Sequence, residues 1–110
     1  MRVRTLHAAA AIVVTAALLG VGARTAGADA ENGERLARRW CAACHVVAPD
    51  QVQASADVPA FATIARKPGF HPQALAFFLL DPHPKMPDLA LTRREASDLA
   101  DYIARLGSKP

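Results

Sequence analysis

The chain has 110 residues, with thirteen Lys and Arg against ten Asp and Glu, a formal charge of +3. Three of the cations, Arg2, Arg4 and Arg24, lie in the first thirty residues, and from Glu31 onward ten basic residues are balanced by nine acidic ones. That near-neutral remainder excludes the basic face on which nucleic-acid binding depends, and one Trp, one Tyr and four Phe are a thin aromatic supply for a core.

Residues 1–30 run from "MRVRTLH" through the apolar "AAAAIVVTAALLGVGA" to the small residues of "RTAGADA". A basic start, an apolar centre and a small-residue end are the order of a secretory signal. The apolar run is shorter than the ~20 residues of a spanning helix. Two Ala-x-Ala patterns place the cut after Ala28 or Ala30, and an uncleaved signal would leave a membrane anchor. The expected domain is 31–110, eighty residues (110 − 30). Domains near this size usually need a disulfide, a metal or a buried cofactor to supplement one hydrophobic core.

"ENGERLARRWCAACH" places Gly33, Leu36 and Trp40 at helical spacing and predicts the first helix. "VVAPDQVQASADVP" has no sustained period and reads as a loop. "PAFATIAR" predicts a short helix ended by "KPG". "HPQALAFFLL" predicts another, with Pro72 in its first turn and Leu75, Phe78 and Leu79 on one face. The loop "DPHPKMPD" follows, with three prolines in eight residues. "LTRREASDLADYIARLG" predicts the last helix. Thr92 and Glu95 form a capping box, Ala96, Leu99, Ile103 and Leu106 an apolar stripe, Asp101 and Arg105 an ion pair, and Gly107 a C′ residue. No segment of 31–110 alternates as a strand would. The fold class is all-α with long loops, a combination that becomes reasonable if the loops wrap a non-protein group.

Cys41, Cys44 and His45 spell C-x-x-C-H, the attachment signature of c-type haem. Positions i and i+3 share a helix face, so both thiols reach one edge of a porphyrin, and the next residue is carried under the ring as proximal iron ligand. A disulfide, a thioredoxin-like pair and a zinc site are the competing uses of such a pair. The second needs a βαβ setting that is absent, and the third needs ligands beyond two cysteines and a histidine. A large apolar ring would also give short helices a common core.

Around that motif, "GERLARRW", "VPAF" and "MPDLALTRREASDLADYIARL" resemble the small class I cytochrome c family from about Asp29 to Leu106. The resemblance implies a small cytochrome c fold in which the first and last helices cross beside a covalently bound haem, Leu99 and Tyr102 meeting Gly33. It implies that the carbonyl of Pro59 accepts a hydrogen bond from Nδ1 of His45, and that Met86 is the distal iron ligand. Ala37 stands where the family often has an aromatic, leaving Leu36 and Trp40 to fill the crossing. With no tryptophan after the motif, the donors to the haem propionates stay unassigned.

His83 is the alternative distal ligand to Met86. Imidazole binds ferric iron well and would lower the potential, whereas Pro84 and Pro87 bracket Met86 and stiffen the backbone that holds its thioether. His71 reads as a helix-entry residue, and Tyr102 as a crossing residue with its hydroxyl near solvent. Lys85, Arg66 and Lys67 are surface charges suited to orienting an acidic partner.

A haem with His and Met ligands has no open position for a substrate. The expected function is therefore a one-electron carrier, not an enzyme, in the bacterial periplasm. It would pass electrons between redox partner proteins (a dehydrogenase, oxidase or reductase), with no small-molecule substrate and with membrane contact only through partners or an uncleaved signal. A dedicated haem c subunit of a periplasmic dehydrogenase complex is the alternative, and a haem-based sensor or peroxidase with a labile distal ligand is a further one.

Overall fold

The computed structural model describes residues 27–55, 57–81 and 85–108. Most of the expected signal (residues 1–26) and His83 lie outside the described residues.

Helix α1 spans Ala30–Leu36. Its N-cap is Asp29, whose carboxylate accepts from the backbone N–H groups of Glu31 at 3.0 Å and Asn32 at 3.1 Å. Hydrogen bonding from Asn32, then Glu31, holds this carboxyl below its usual range. Asp29 and Ala30, just before Glu31, are thus part of the helix and its cap. The first predicted helix also changes character partway. Ala37–Cys41 is a π-helical turn, closed by the Ala42 N–H on the Ala37 carbonyl at 3.1 Å, and the chain leaves helix at Ala42. Such widened turns are frequent at functional sites.

Three further helices follow: α2 (Phe61–Ala65), α3 (Pro72–Leu80) and α4 (Arg93–Ser108). Among the described residues there is no strand, and the architecture is all-α. The other helices each pack on α4, which supplies the buried stripe Ala96, Leu99, Ile103 and Leu106. Each Leu or Ile so buried contributes roughly 1.5–3 kcal/mol of transfer free energy. The capping box forms as predicted: Thr92 Oγ1 accepts from the Glu95 N–H at 3.2 Å, and Glu95 Oε2 accepts from the Thr92 N–H at 2.8 Å. Asp101 and Arg105 pair at 3.3 Å.

At the crossing of α1 and α4, Gly33 lies against the backbone of Asp98. A Cβ there would overlap the Asp98 carbonyl oxygen and stand 2.6 Å from its carbon and 2.8 Å from Tyr102 Cβ. The crossing expected at Gly33 is present; Tyr102 meets it as expected, but the nearest atoms belong to the Asp98 backbone and not to Leu99. Leu36 and Trp40 pack partly buried against the core, and Ala37 is wholly buried.

Three expectations are corrected. Gly107 is not a C′ residue: α4 continues through it to Ser108, and its missing side chain admits Ala65 of α2, whose Cβ would stand 2.8 Å from a Cβ at 107. Tyr102 is 6 % exposed, and its hydroxyl donates to the Val47 carbonyl at 2.7 Å instead of reaching solvent. Burial pushes its phenol above the usual range, so it stays a donor. On α3, Leu75 and Leu79 pack against the core, but Phe78 is half exposed and Phe77 is 74 % exposed. Leu75 and Leu79 lie about 40° apart around the helix, and Phe78 lies about 60° from Leu75 on the side away from Leu79, at the edge of the buried face.

Candidate haem-attachment site

Cys41 closes the π-helical turn and is buried, whereas Cys44 is exposed in the turn that follows. The carbonyl of Cys41 accepts from the N–H groups of both Cys44 (3.1 Å) and His45 (2.8 Å). Those bonds span three and four residues, so one turn of helical geometry persists beyond the helix and keeps the three side chains of the motif in register. Cys41 and Cys44 are not joined in a disulfide. Burial, with a smaller push from Cys44, raises the Cys41 thiol to about 11. A reactive redox cysteine needs the opposite shift. Among the described residues, no group of three or more His, Cys, Asp or Glu is placed to hold a metal ion.

His45 Nδ1 stands 2.7 Å from the Pro59 carbonyl. A carbonyl only accepts, so Nδ1 carries the proton and the lone pair is left on Nε2. The ring is flanked by Phe61, centroids 5.2 Å apart and tilted 47°. Phe61 is itself tied down by its N–H to the Val46 carbonyl at 3.0 Å. The imidazole is therefore oriented on two sides, as a metal-binding histidine usually is.

Met86 lies between α3 and α4, half buried. Lys85, just before it, has φ +80°, and Ala90, four residues on, has φ +48°. Left-handed backbone at residues with side chains costs about 1–3 kcal/mol and collects at functional sites. The Asp88 carboxylate accepts from the Ala90 N–H at 2.8 Å and fixes the second of these bends. Pro87, Lys85, Arg66, Lys67 and His71 are exposed. The structure brings Cys41, Cys44, His45 and Pro59 together on neighbouring segments.

These residues suit a haem on chemical grounds. Two thiols three apart can take thioethers, and a neutral imidazole with a fixed Nδ1–H offers Nε2 to iron.

Gln51 is an organiser that the sequence did not single out. Its Oε1 accepts from the Val47 N–H at 2.9 Å, and its Nε2 reaches the carbonyls of Ala42 (3.0 Å), His45 (2.8 Å) and Gln53 (3.1 Å). One side chain thus fastens the loop after the motif to the turn that carries it. Replacing Gln51 by Ala is expected to lower the unfolding free energy of the haem-loaded protein by about 2 kcal/mol, at ~1 kcal/mol per hydrogen bond less partial replacement by water. Guanidinium unfolding followed at the haem band checks this, and a change below about 0.5 kcal/mol contradicts it. The only hint in the sequence is a glutamine six residues past the motif in an otherwise aperiodic loop. Beyond it, Arg38 joins Glu34 (2.8 Å) to Asp50 (2.9 Å) at the surface, the Asp50 and then Glu34 bonds raising its pKa further.

Residues 28–103 match the family model described as cytochrome c oxidase, cbb3-type, subunit III. The chain is also similar to cytochrome c-552 of Bradyrhizobium diazoefficiens, 63 % identical over 79 residues, which cover 72 % of this chain and 76 % of that protein. No solved structure matches it.

Proposed function

This chain belongs to the family described as cytochrome c oxidase, cbb3-type, subunit III, and is a small monohaem c-type cytochrome, an electron-transfer protein with covalently bound haem and iron; on that premise we propose that Cys41 and Cys44 hold the haem, that His45 and Met86 ligate its iron, and that the protein shuttles single electrons between periplasmic redox partners. The observation that carries this reading is the motif turn, in which His45 Nδ1 is engaged by Pro59 at 2.7 Å and Nε2 is left for iron.

Bound haem supplies a metal that alternates between ferric and ferrous states with one electron exchanged. The protein's part is to hold the ring and fix its ligands. Cys41 and Cys44 anchor it from one turn. Pro59 keeps the proton of His45 on Nδ1 and strengthens the imidazole as a donor, while Phe61 stops the ring from swinging. Met86 contributes a soft thioether that favours the reduced iron and raises the potential. With His45 and Met86 both given to the iron, the chain would leave no place there for a substrate, in keeping with an electron-transfer role. Residues 1–28 or 1–30 act as the export signal that delivers the chain to the compartment where such haem is attached. Partners are redox proteins, met through small, transient interfaces.

A second reading, a haem subunit held within an oxidase assembly, is favoured by the family's description. Stable co-purification with membrane subunits would support it over a free shuttle.

The test is a spectroelectrochemical titration of the holoprotein, matured with its signal and the haem-attachment machinery. The expected result is one reversible one-electron transition and a ferrous spectrum unchanged by carbon monoxide. Rapid carbon monoxide binding by native protein would replace the carrier with a sensor or peroxidase.

A further inference from the structure

Asp98 is the deepest charged group among the described residues, 1 % exposed on α4 at the crossing with α1. A buried carboxylate is tolerated only when both oxygens are satisfied and its charge is compensated. The oxygens are satisfied: Oδ1 accepts from the backbone nitrogen of Asp29 at 2.7 Å, and Oδ2 from Nδ2 of Asn32 at 2.8 Å. Neither donor is charged. The first of them, however, is the nitrogen that becomes a free amine if the chain is cut just before Asp29. Residues 26–28 read Ala-Gly-Ala, one of the two cleavage patterns in the sequence.

The geometry points to the Ala28–Asp29 bond as the processing site, with the new α-ammonium of Asp29 becoming the ion-pair partner of buried Asp98 and pinning α1 to α4. The inference rests on the export reading above. The step is a hydrolysis by a signal peptidase. Water breaks the amide, its hydroxyl goes to the Ala28 carboxyl, and its hydrogen goes to the Asp29 nitrogen. That amine then takes up a proton from solvent at neutral pH, its ordinary pKa being about 8.

The two cleavage patterns leave different proteins. A cut after Ala28 keeps every contact at the crossing and turns a neutral donor into a charged one, and charge-assisted hydrogen bonds are roughly twice as strong. A cut after Ala30 removes the Asp29 cap, the 2.9 Å bond from the Gly33 N–H to the Asp29 carbonyl, and Ala30 itself, which is buried. It also takes the donor from Asp98 Oδ1. An ammonium at the start of α1 opposes the helix dipole, but the Asp29 carboxylate, bonded to the Glu31 and Asn32 N–H groups, offsets it locally.

Other charges act on the same spot. Arg35 and Glu31 of α1 and Arg94 of α4 stand near Asp29, and Arg93 and Asp101 line the groove beside it. The α3 residues in that groove, Pro72, Gln73 and Ala76, carry no charge. Asp98 is the group in direct contact with the nitrogen, so it sets the sign. The amine's pKa is raised in the folded state, and its contribution to stability is full below about pH 8 and lost as pH rises through the raised value.

The experiment uses holoprotein purified from the periplasm. Intact mass and N-terminal sequencing should place the mature start at Asp29. Competitive acetylation at pH 8 should then modify the α-amine at least tenfold more slowly than in a peptide with the same N-terminal residues, and Asp98→Asn should restore the peptide rate. If that variant does not fold, the wild-type rate alone decides. A mature start at Glu31 overturns the inference while leaving export and haem attachment intact. A chain still beginning at Met1 overturns the export reading and this inference with it. A start at Asp29 with peptide-like acetylation removes the ion pair.

Discussion

Replacing Met86 by His is expected to lower the reduction potential of the holoprotein by roughly 0.2 V, about a quarter of the ~0.8 V over which axial ligands set haem potentials. At 59 mV per tenfold for one electron, this shifts the equilibrium with a given partner by about three orders of magnitude. The cause is the exchange of a thioether, which stabilises ferrous iron, for an imidazole, which suits ferric iron. The backbone on either side of Met86 supports its role as ligand. Lys85 is held at φ +80°, Ala90 at φ +48°, and the Asp88 carboxylate pins the second bend. The weak far-red absorption of a ferric iron–thioether bond should be present in the wild type and absent from the variant. If His83 were the ligand, the band would be missing from the wild type and the potential would hardly move on substitution.

Gly33→Val is expected to remove at least about 3 kcal/mol of stability, at or above the upper end of ordinary overpacking. A Cβ at 33 collides with the backbone carbonyl of Asp98, which cannot rotate away as a side chain can. The helices must part, and their separation strains the bonds from Asp98 to Asp29 and Asn32 and from Tyr102 to Val47. The better helix propensity of Ala, worth about 1 kcal/mol over Gly, works in the opposite direction, so Gly33→Ala should still destabilise but by less. For a domain of this size, 3 kcal/mol corresponds to a fall in Tm of about 12–24 °C. Thermal unfolding of the haem-loaded variants measures this, and a Tm within 3 °C of wild type for Gly33→Val would show that the crossing has room.

What the sequence made legible was local. The Thr92–Glu95 box, Pro72 at the start of α3 and the stripe of α4 each depend on residues within one or two turns, and each formed as read. The motif at Cys41, Cys44 and His45 was legible because attachment chemistry fixes its spacing. The crossing at Gly33 came from a family resemblance, since nothing within α1 itself calls for a glycine there. The features that escaped were set by contacts far apart in the chain. Asp98 sits beside Leu99 at the edge of the stripe, and its burial follows from Asp29 and Asn32, nearly seventy residues away. Tyr102 turns inward because the Val47 carbonyl needs a donor. Gly107 looked like a helix stop by position, yet serves the approach of Ala65. The π-helical turn at Ala37–Cys41 has no composition signal, because widening one turn to i→i+5 bonding leaves residue preferences almost unchanged.

On the proposed function, Cys41 and Cys44 carry haem by covalent bonds. Intact mass under denaturing conditions, on protein matured with the attachment machinery, tests it most directly. The expected result is a polypeptide heavier by one haem that does not separate in acid and organic solvent, and loss of that mass in a Cys41→Ala, Cys44→Ala double variant. A wild-type polypeptide of bare mass, or haem that extracts freely, would contradict it and return both cysteines to thiol chemistry.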